Sequence, residues 1–322
     1  MVEAGSLSEN IPGTSIDAAT ATAGQLRQAI ASGALTSADL TAFYLARIER
    51  LNPGLRAVIT VSESAAADAR ASDNARAGGN ARAGGNPGAG GNTGTDTAAS
   101  APGRPLEGIP VLIKDNIGVR GMPATAGSPA LQDAENGDAF IVSRLREAGA
   151  IVLGKANLSE WANFRSTRSS SGWSALGGQA VNPYGQGRNP SGSSSGSAVA
   201  VAAGLAPLAI GSETDGSIIS PASACGIVGV KPTLGLVSRT GIVPISPAQD
   251  TAGPMTRSVT DAAALLSALA GADPADAATA QAAGQPADFT AFLDSGALAG
   301  ARIGVWRDGK LTARAGDPTL LS

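Results

Sequence analysis

The length, composition and charge of this chain limit what it can be. With 322 residues, 43% of them hydrophobic and 15% charged, the chain can bury a sizeable core. A net charge of -3 without a basic block argues against nucleic acid or an anionic membrane as the main partner. The chain has no histidine and one cysteine, Cys225, so an internal disulfide is excluded and no metal or other cofactor is expected.

The location of the protein is predicted from two negative features. The longest apolar stretch, Ala198 to Ile210, contains Gly204 and Pro207 and is too short to cross a bilayer. The first residues lack the basic and apolar regions of a signal peptide. We therefore expect a cytoplasmic protein, or a secreted or periplasmic one if a leader is missing from the sequence.

Two helices are predicted over residues 23–52. The first covers Gly24 to Ser32, and the second begins at a Thr36-Ser37 cap. The second has apolar residues at helical spacing, namely Leu40, Phe43, Leu45, Ile48 and Leu51. This periodicity predicts structural helices that pack on a core.

A repetitive, glycine-rich segment follows. Residues 75–92 contain the hexapeptide Ala-Arg-Ala-Gly-Gly-Asn twice, followed by a variant of it. Gly and Asn at this density bury little apolar surface, and ordering them costs much backbone entropy. Residues 75–103 are therefore predicted to be a flexible surface loop inserted between a helix and a strand.

The rest of the chain alternates between short apolar runs and helical patterns. Buried strands are predicted at residues 109–113, 150–153, 208–211, 227–230 and 302–306, and helices at 138–148, 198–203 and 259–270. This alternation predicts an α/β fold with a covered, largely parallel sheet.

Two serines in Gly/Ser-rich runs are the candidate reactive groups. Ser193 lies in the run 190–197, and Ser217 ends the run 211–217. Residues 192–196 match G-x-S-x-G, which would make Ser194 a nucleophile, but that mechanism needs a histidine and the chain has none. If either serine is a nucleophile, another base must accept its proton, and the best candidate is Lys114, directly after a predicted strand.

Each candidate also has a plainer interpretation. The Gly/Ser run alone is typical of a flexible loop or, less so, of an anion-binding turn at a helix start. Lys114 alone could be a surface charge at a strand end, and Ser217 a helix cap. The other polar candidates are interpreted as structural: Asp115 and Asp250 as turn or cap residues, and Lys155 and Lys231 as structural or solvated. Three aromatic residues are interpreted as core residues, with a role in lining a substrate pocket as the alternative: Trp161, Phe164 and Trp173.

Taken together and in this order, the motifs resemble the amidase signature family. Besides the runs around Lys114, Ser193 and Ser217, the resemblance rests on residues 154–160, 225–232 and 249–255, and it extends from about residue 15 to the end. Residues 6–10, 160–164, 171–174 and 214–217 are similar to the peptide amidase branch.

The resemblance implies a fold, a reaction and roles for residues. The fold is a central mixed, largely parallel β-sheet with helices on both faces. The implied activity is hydrolysis of linear amides, C-terminal peptide amides above all, through an acyl-enzyme and without a cofactor. Ser217 would be the nucleophile, Ser193 the bridging serine held by a cis peptide, and Lys114 the base. The backbone N–H groups of Thr214, Asp215, Gly216 and Ser217 would form the oxyanion hole.

The sequence also departs from the family pattern. Many members have Gly where this chain has Asp215 and Arg where it has Ile219, and these two residues favour the peptide amidase branch over the subunit that serves tRNA-dependent amidation. Family members continue well beyond Ser322, so residues 1–322 are predicted to be a single amidase domain that is incomplete at its C-terminus. The alternative function is therefore that of a catalytically incompetent member with at most a binding role.

Overall fold

The structure is a computed structural model that describes residues 8–83, 104–185, 187–284 and 288–304. The chain divides into two compact units, residues 1–290 and 291–322, and the fold and site described below lie in the first. That residues 1–322 form one incomplete domain stays a prediction.

A six-stranded mixed sheet is the centre of the first unit. Its strands are β1 (Val58–Val61), β2 (Pro110–Lys114), β3 (Ile151–Ala156), β6 (Leu208–Glu213), β7 (Val228–Gly229) and β8 (Thr251–Thr256), in the order β1-β3-β2-β6-β8-β7. A separate hairpin pairs β4 (Trp173–Ser174) with β5 (Gly178–Gln179). Strand β2 is parallel to both β3 and β6, and the pairs β1–β3, β6–β8 and β7–β8 are antiparallel. The parallel part is thus the centre of the sheet.

Helices cover this sheet. They are α1 (Ala23–Ala31), α2 (Ser37–Leu55), α3 (Ala65–Ala83), α4 (Phe140–Glu147), α5 (Ser195–Ala202), α6 (Ile219–Ala224) and α7 (Val259–Leu269). Short 3₁₀ turns lie at Pro129–Leu131, Glu160–Asn163, Ala277–Ala282 and Phe289–Phe292. Every residue of β2, β3, β6 and β8 is buried, which requires cover on both faces of the sheet.

Local sequence explains where the helices begin. Thr22 and Gln25 form a capping box at α1, and the Thr36 hydroxyl accepts a hydrogen bond from the Asp39 N–H at 2.9 Å at the start of α2. The Ser258 hydroxyl does the same for α7, accepting from the Asp261 N–H at 3.1 Å. These caps confirm the predicted helices 23–52 and 259–270 to within a few residues.

Several sequence predictions need correction. Residues 75–83 belong to α3 rather than to a loop, because this repeat contains alanine and arginine, both good helix formers; residues 84–103 lie outside the described residues. Residues 302–304 form no strand, and 305 and 306 are not described. Strand β8 is absent from the sequence prediction, because Gly253 and Pro254 interrupt its apolar pattern.

A bilayer-spanning helix must be both long and apolar. None of the helices in the described part of the chain is long and apolar enough to cross a membrane.

Candidate active site

Lys114 lies at the carboxyl end of β2 and is completely buried. Its Nζ donates hydrogen bonds to Ser193 Oγ at 2.7 Å, to Ser212 Oγ at 3.0 Å and to the Ser212 carbonyl oxygen at 3.1 Å. Ser212 lies near the end of β6, and since β2 and β6 are parallel neighbours, their carboxyl ends meet at one edge of the sheet. The interpretation of Lys114 as a surface charge is therefore wrong.

Burial changes the protonation of this lysine. Loss of solvent lowers the pKa of Lys114 from 10.5 to about 7, although the negative charges of Glu213 and Asp250 partly oppose the shift. A substantial fraction of the amine is then neutral near pH 7, so Lys114 can accept a proton there.

The Gly/Ser run that carries Ser193 is rigidly held rather than flexible. Ser193, Ser194, Ser195 and Ser197 are fully buried. The Ser193 carbonyl accepts from the Ser159 N–H at 3.0 Å, and the Ser197 hydroxyl donates to the Ile210 carbonyl at 2.9 Å. The peptide bond between Gly192 and Ser193 is cis, as the resemblance implied.

Gly196 lets this run approach the neighbouring backbone. A Cβ at position 196 would lie 2.3 Å from the Ala57 carbonyl oxygen and 2.4 Å from that of Asn157. The Gly196 N–H donates to the same Asn157 oxygen at 2.8 Å, which draws the start of α5 against this segment. No side chain fits at this position.

We expect Gly196→Ala to lower the free energy of unfolding by about 1–3 kcal/mol or more, because the clash is with backbone atoms. Urea unfolding measures the effect. Gly24→Ala in α1 is the matched control, since its Cβ would meet only Thr22 Oγ1 at 3.8 Å and stability should stay the same or rise slightly. Equal stability of the two variants would contradict the steric argument.

Ser217 lies in the turn between β6 and α6. Gly216, with φ of 80°, has the left-handed conformation that this turn needs. The Ser217 carbonyl accepts from the Ser194 N–H at 3.0 Å, so the two serine runs are joined through the backbone. Of the three candidate residues, Lys114 and Ser193 are in direct contact. The Ser217 hydroxyl makes no hydrogen bond to any described residue, and α6 has no side-chain cap, so Ser217 is not a helix cap.

The backbone around Ser217 offers free donors. Among the described residues, no acceptor binds the N–H groups of Asp215, Gly216 or Ser217. Glu213 Oε2 instead takes the next two N–H groups, those of Ile218 at 2.7 Å and Ile219 at 3.0 Å. Unpaired N–H groups in one turn are what an oxyanion hole requires.

Asp250 supports this turn from the other side. Its carboxylate accepts from the Thr214 hydroxyl and from the N–H groups of Ile245, at 2.8 Å, and Ser246, at 2.9 Å. The interpretation of Asp250 as a turn residue is confirmed, and its contact with Thr214 links the turn 245–250 to the segment 214–217. Asp215 itself is exposed.

Two cavities adjoin Asn116 and the segment 243–245. The first, of about 250 Å³ and here called the polar cavity, is lined by Asn116, Ser212–Thr214, 239–240, 242–245, Pro247, 250–251 and 275–276. The second, of about 440 Å³ and here called the aromatic cavity, is lined by Asn116, Ala126, Trp161, Ala162, Phe164, Arg165 and Val243–Ile245. The interpretation of Phe164 as a core aromatic is wrong, because its side chain is 67% exposed.

Sequence reasoning missed a buried ion pair beside the site. Asp115 and Lys155 are both fully buried, with Lys155 Nζ 3.3 Å from Asp115 Oδ1. Asp115 Oδ2 also accepts from the Thr125 hydroxyl and, at 3.2 Å, from the Gly127 N–H. Asp115 therefore holds the loop 125–127, which lines the aromatic cavity through Ala126. A charged residue directly after a buried strand was the available sequence signal.

The described residues include neither a cluster of metal-binding side chains nor a reactive thiol. They contain no group of three or more His, Cys, Asp or Glu side chains that could hold a metal ion. The buried Cys225 thiol has its pKa raised to about 12 by loss of solvent, which makes it a poor metal ligand and a poor nucleophile.

Known proteins resemble this chain over nearly all of its length. A probable amidase from Arabidopsis thaliana is 44% identical over 88% of this chain and 53% of its own. An amidase family protein from Bacillus anthracis, of known structure, is 41% identical and superposes with a TM-score of 0.76 over 86% of this chain and 52% of that one. The solved structure of peptide amidase from Stenotrophomonas maltophilia is 52% identical and superposes with a TM-score of 0.76 over 84% of this chain and 52% of that one.

The chain therefore spans about half the length of these relatives. The sequence profile of the family named Amidase matches residues 92–317, a range that includes Lys114, Ser193 and Ser217. The α/β fold predicted from the motifs is confirmed by the structural match. On these grounds the chain belongs to the amidase family.

Proposed function

We propose that this protein hydrolyses linear amides, C-terminal peptide amides in particular, through a serine nucleophile and a lysine base. The observation that carries the proposal is the 2.7 Å hydrogen bond between Lys114 Nζ and Ser193 Oγ, in a buried site that lowers the lysine pKa to about 7. The 52% identity with a peptide amidase supports the choice of substrate class.

In this mechanism Ser217 Oγ attacks the amide carbonyl. Ser193 takes the proton of Ser217 and passes its own to neutral Lys114, because a hydroxyl can donate and accept at once. The backbone N–H groups of Thr214, Asp215, Gly216 and Ser217 bind the developing oxyanion. Lys114 then returns the proton to the leaving amine, and ammonia departs. Water hydrolyses the acyl-enzyme by the same steps, and no cofactor takes part.

A fluorophosphonate probe tests the proposal on the intact chain. The reagent modifies an activated serine, and peptide mapping identifies the labelled residue. We expect label on Ser217 and none on Ser194 or Ser193. A folded protein that takes up no label would instead support the alternative of an incompetent member with at most a binding role. Cell fractionation separately tests the predicted cytoplasmic location.

The pH dependence of hydrolysis follows from the lysine. Because neutral Lys114 is the base, kcat/KM for a peptide amide should rise about tenfold per pH unit below the pKa of about 7 and level off above it. Glu213→Gln removes a negative charge that raises this pKa, so the midpoint should move to lower pH. Initial rates between about pH 5 and 9 measure both profiles. A rate that falls from pH 6 to 8 would contradict the assignment of the base.

A further inference from the structure

The aromatic cavity differs from the polar cavity in its aromatic and charged residues. Its walls include Trp161 and Phe164 on one side and Val243–Ile245 on another, and the carboxylates of Glu213, Asp250 and Asp276 line only the polar cavity. Arg165 is the charged residue of the lining. A cavity of about 440 Å³ with such walls suits an apolar or aromatic group and disfavours a cation.

Unusual backbone conformations are concentrated at this cavity. Six non-glycine residues of the described chain have positive φ, and four of them are Ala126 (50°), Trp161 (51°), Ala162 (52°) and Asn163 (73°). The first three line the cavity, and the Trp161 N–H donates to the Ala126 carbonyl at 2.9 Å, which joins two walls. Three consecutive left-handed residues are costly, and such strain is characteristic of ligand-binding sites.

The result of this turn is an aromatic side chain presented to solvent. Phe164 is 67% exposed although it follows the buried residue Ala162 by only two positions. The neighbouring Arg165 is held in place by Glu160 at 3.2 Å and lies 5.0 Å from the Trp173 ring centre. The rim of the cavity thus presents an exposed aromatic side chain, Phe164, beside the positive charge of Arg165, and the Phe164 ring is available to stack on an incoming group.

The aromatic cavity shares part of its lining with the polar cavity. Asn116 and Val243–Ile245 line both cavities, and the polar cavity also contains Ser212, Glu213 and Thr214. Asn116 Nδ2 donates to Ser212 Oγ at 2.9 Å, the same oxygen that accepts from Lys114. Ser217 itself lines neither cavity, but Thr214 of the polar cavity lies three residues before it in the same turn, so the path from Ser217 to the aromatic cavity runs along the shared walls of the polar cavity.

We propose that the aromatic cavity binds an aromatic or bulky aliphatic side chain in the acyl part of the amide substrate. The protein then selects amides that carry such a side chain over glycine amides and over cationic lysine amides. This inference rests on the proposed function, because it names the substrate class of the same site.

Capped dipeptide amides test the selection. The set is acetyl-glycyl-glycine amide and the versions with phenylalanine or lysine at either position, compared by kcat/KM for ammonia release. One phenylalanine version should exceed the diglycine amide by about tenfold, and the lysine version at that position should not. Equal rates with all substituents at both positions would overturn the inference.

Variants tie the preference to the cavity. Phe164→Ala should reduce the phenylalanine-to-glycine ratio of kcat/KM by about fivefold or more, and Phe164→Tyr should keep it. Phe292→Ala is the matched control, since Phe292 is also 67% exposed and is not part of the cavity lining, and the ratio should stay unchanged. A ratio that survives Phe164→Ala would assign the preference to another part of the protein.

A binding measurement separates this inference from the proposed function. Titration calorimetry with the Ser217→Ala variant gives the affinity for the same amides without any hydrolysis. Tighter binding of the phenylalanine amide, weakened by Phe164→Ala, supports the cavity even if the unsubstituted chain hydrolyses no amide. Hydrolysis without any difference in rate or affinity between the amides retains the proposed function and rejects the selectivity.

Discussion

Ser217→Ala is expected to lower kcat for ammonia release from a peptide amide by at least about 10⁴-fold, to the level that binding and the oxyanion donors alone provide. The reason is that Ser217 forms the covalent intermediate. Ser193 cannot take over this role while its hydroxyl is hydrogen-bonded to Lys114 Nζ at 2.7 Å. Lys114→Ala should cause a loss of similar size, since it removes the amine that contacts Ser193 Oγ and takes its proton. Ammonia release, followed by a coupled assay, measures both.

Ser220→Ala is the matched control for this experiment. Ser220 lies in α6, three residues after Ser217, and its side chain is exposed and contacts the Ser191 hydroxyl at 2.6 Å. Loss of this exposed hydroxyl should leave kcat within about twofold of the value for the unsubstituted protein. If Ser217→Ala or Lys114→Ala retained most of the activity, the proposed mechanism would be rejected. A double variant no worse than either single one would show that the two residues act as a unit.

Lys155→Met is expected to lower the free energy of unfolding by about 3–5 kcal/mol, because it leaves the fully buried Asp115 carboxylate without its cation. The loss should depend on pH. Burial raises the pKa of Asp115, and without Lys155 the folded-state pKa lies still higher above the unfolded value. Protonation then removes the uncompensated charge, so the deficit should shrink as the pH falls through the raised pKa of Asp115.

A second variant distinguishes the charge from the packing. Asp115→Asn/Lys155→Met removes both charges and should recover most of the stability lost in Lys155→Met. Lys231→Met is the control, because Lys231 is exposed and its Nζ donates to the carbonyl of the adjacent Pro232 at 3.0 Å. The stability of this variant should differ from that of the unsubstituted protein by less than about 0.5 kcal/mol. Urea unfolding of the three variants at two pH values makes the comparison. Equal stability of Lys155→Met and Lys231→Met would disprove a role for the ion pair.

The aromatic residues show where prediction from sequence failed. Trp161 and Phe164 look like core residues because large aromatic side chains are usually buried. Their access to the cavity depends on the left-handed turn 161–163, which no local residue type demands, since none of the three is glycine. The hydrogen bond from the Trp161 N–H to Ala126, a residue 35 positions earlier, fixes this turn, and such a contact leaves no trace in the local pattern.

Local patterns by themselves determined the family, four strands of the six-stranded sheet and five of the seven helices in the described residues, α3 and α6 being the exceptions. Helix periodicity, caps and apolar runs act over a few residues, so the elements around Lys114, Ser193 and Ser217 can be inferred from neighbours in the chain. The identity of the three candidates followed from motif order. These features depend on short-range steric and hydrogen-bonding preferences, which the amino-acid sequence expresses directly.

Only the tertiary structure decided how these residues meet. The contact of Lys114 with Ser193 and the pairing of Asp115 with Lys155 join positions far apart in the chain, through the register of β2 with β3 and β6. Elements from distant parts of the chain together bury Lys114 on all sides. This burial lowers the pKa of the lysine and lets it act as a base. Long-range packing sets distances and desolvation, and no pattern within a short window contains either quantity.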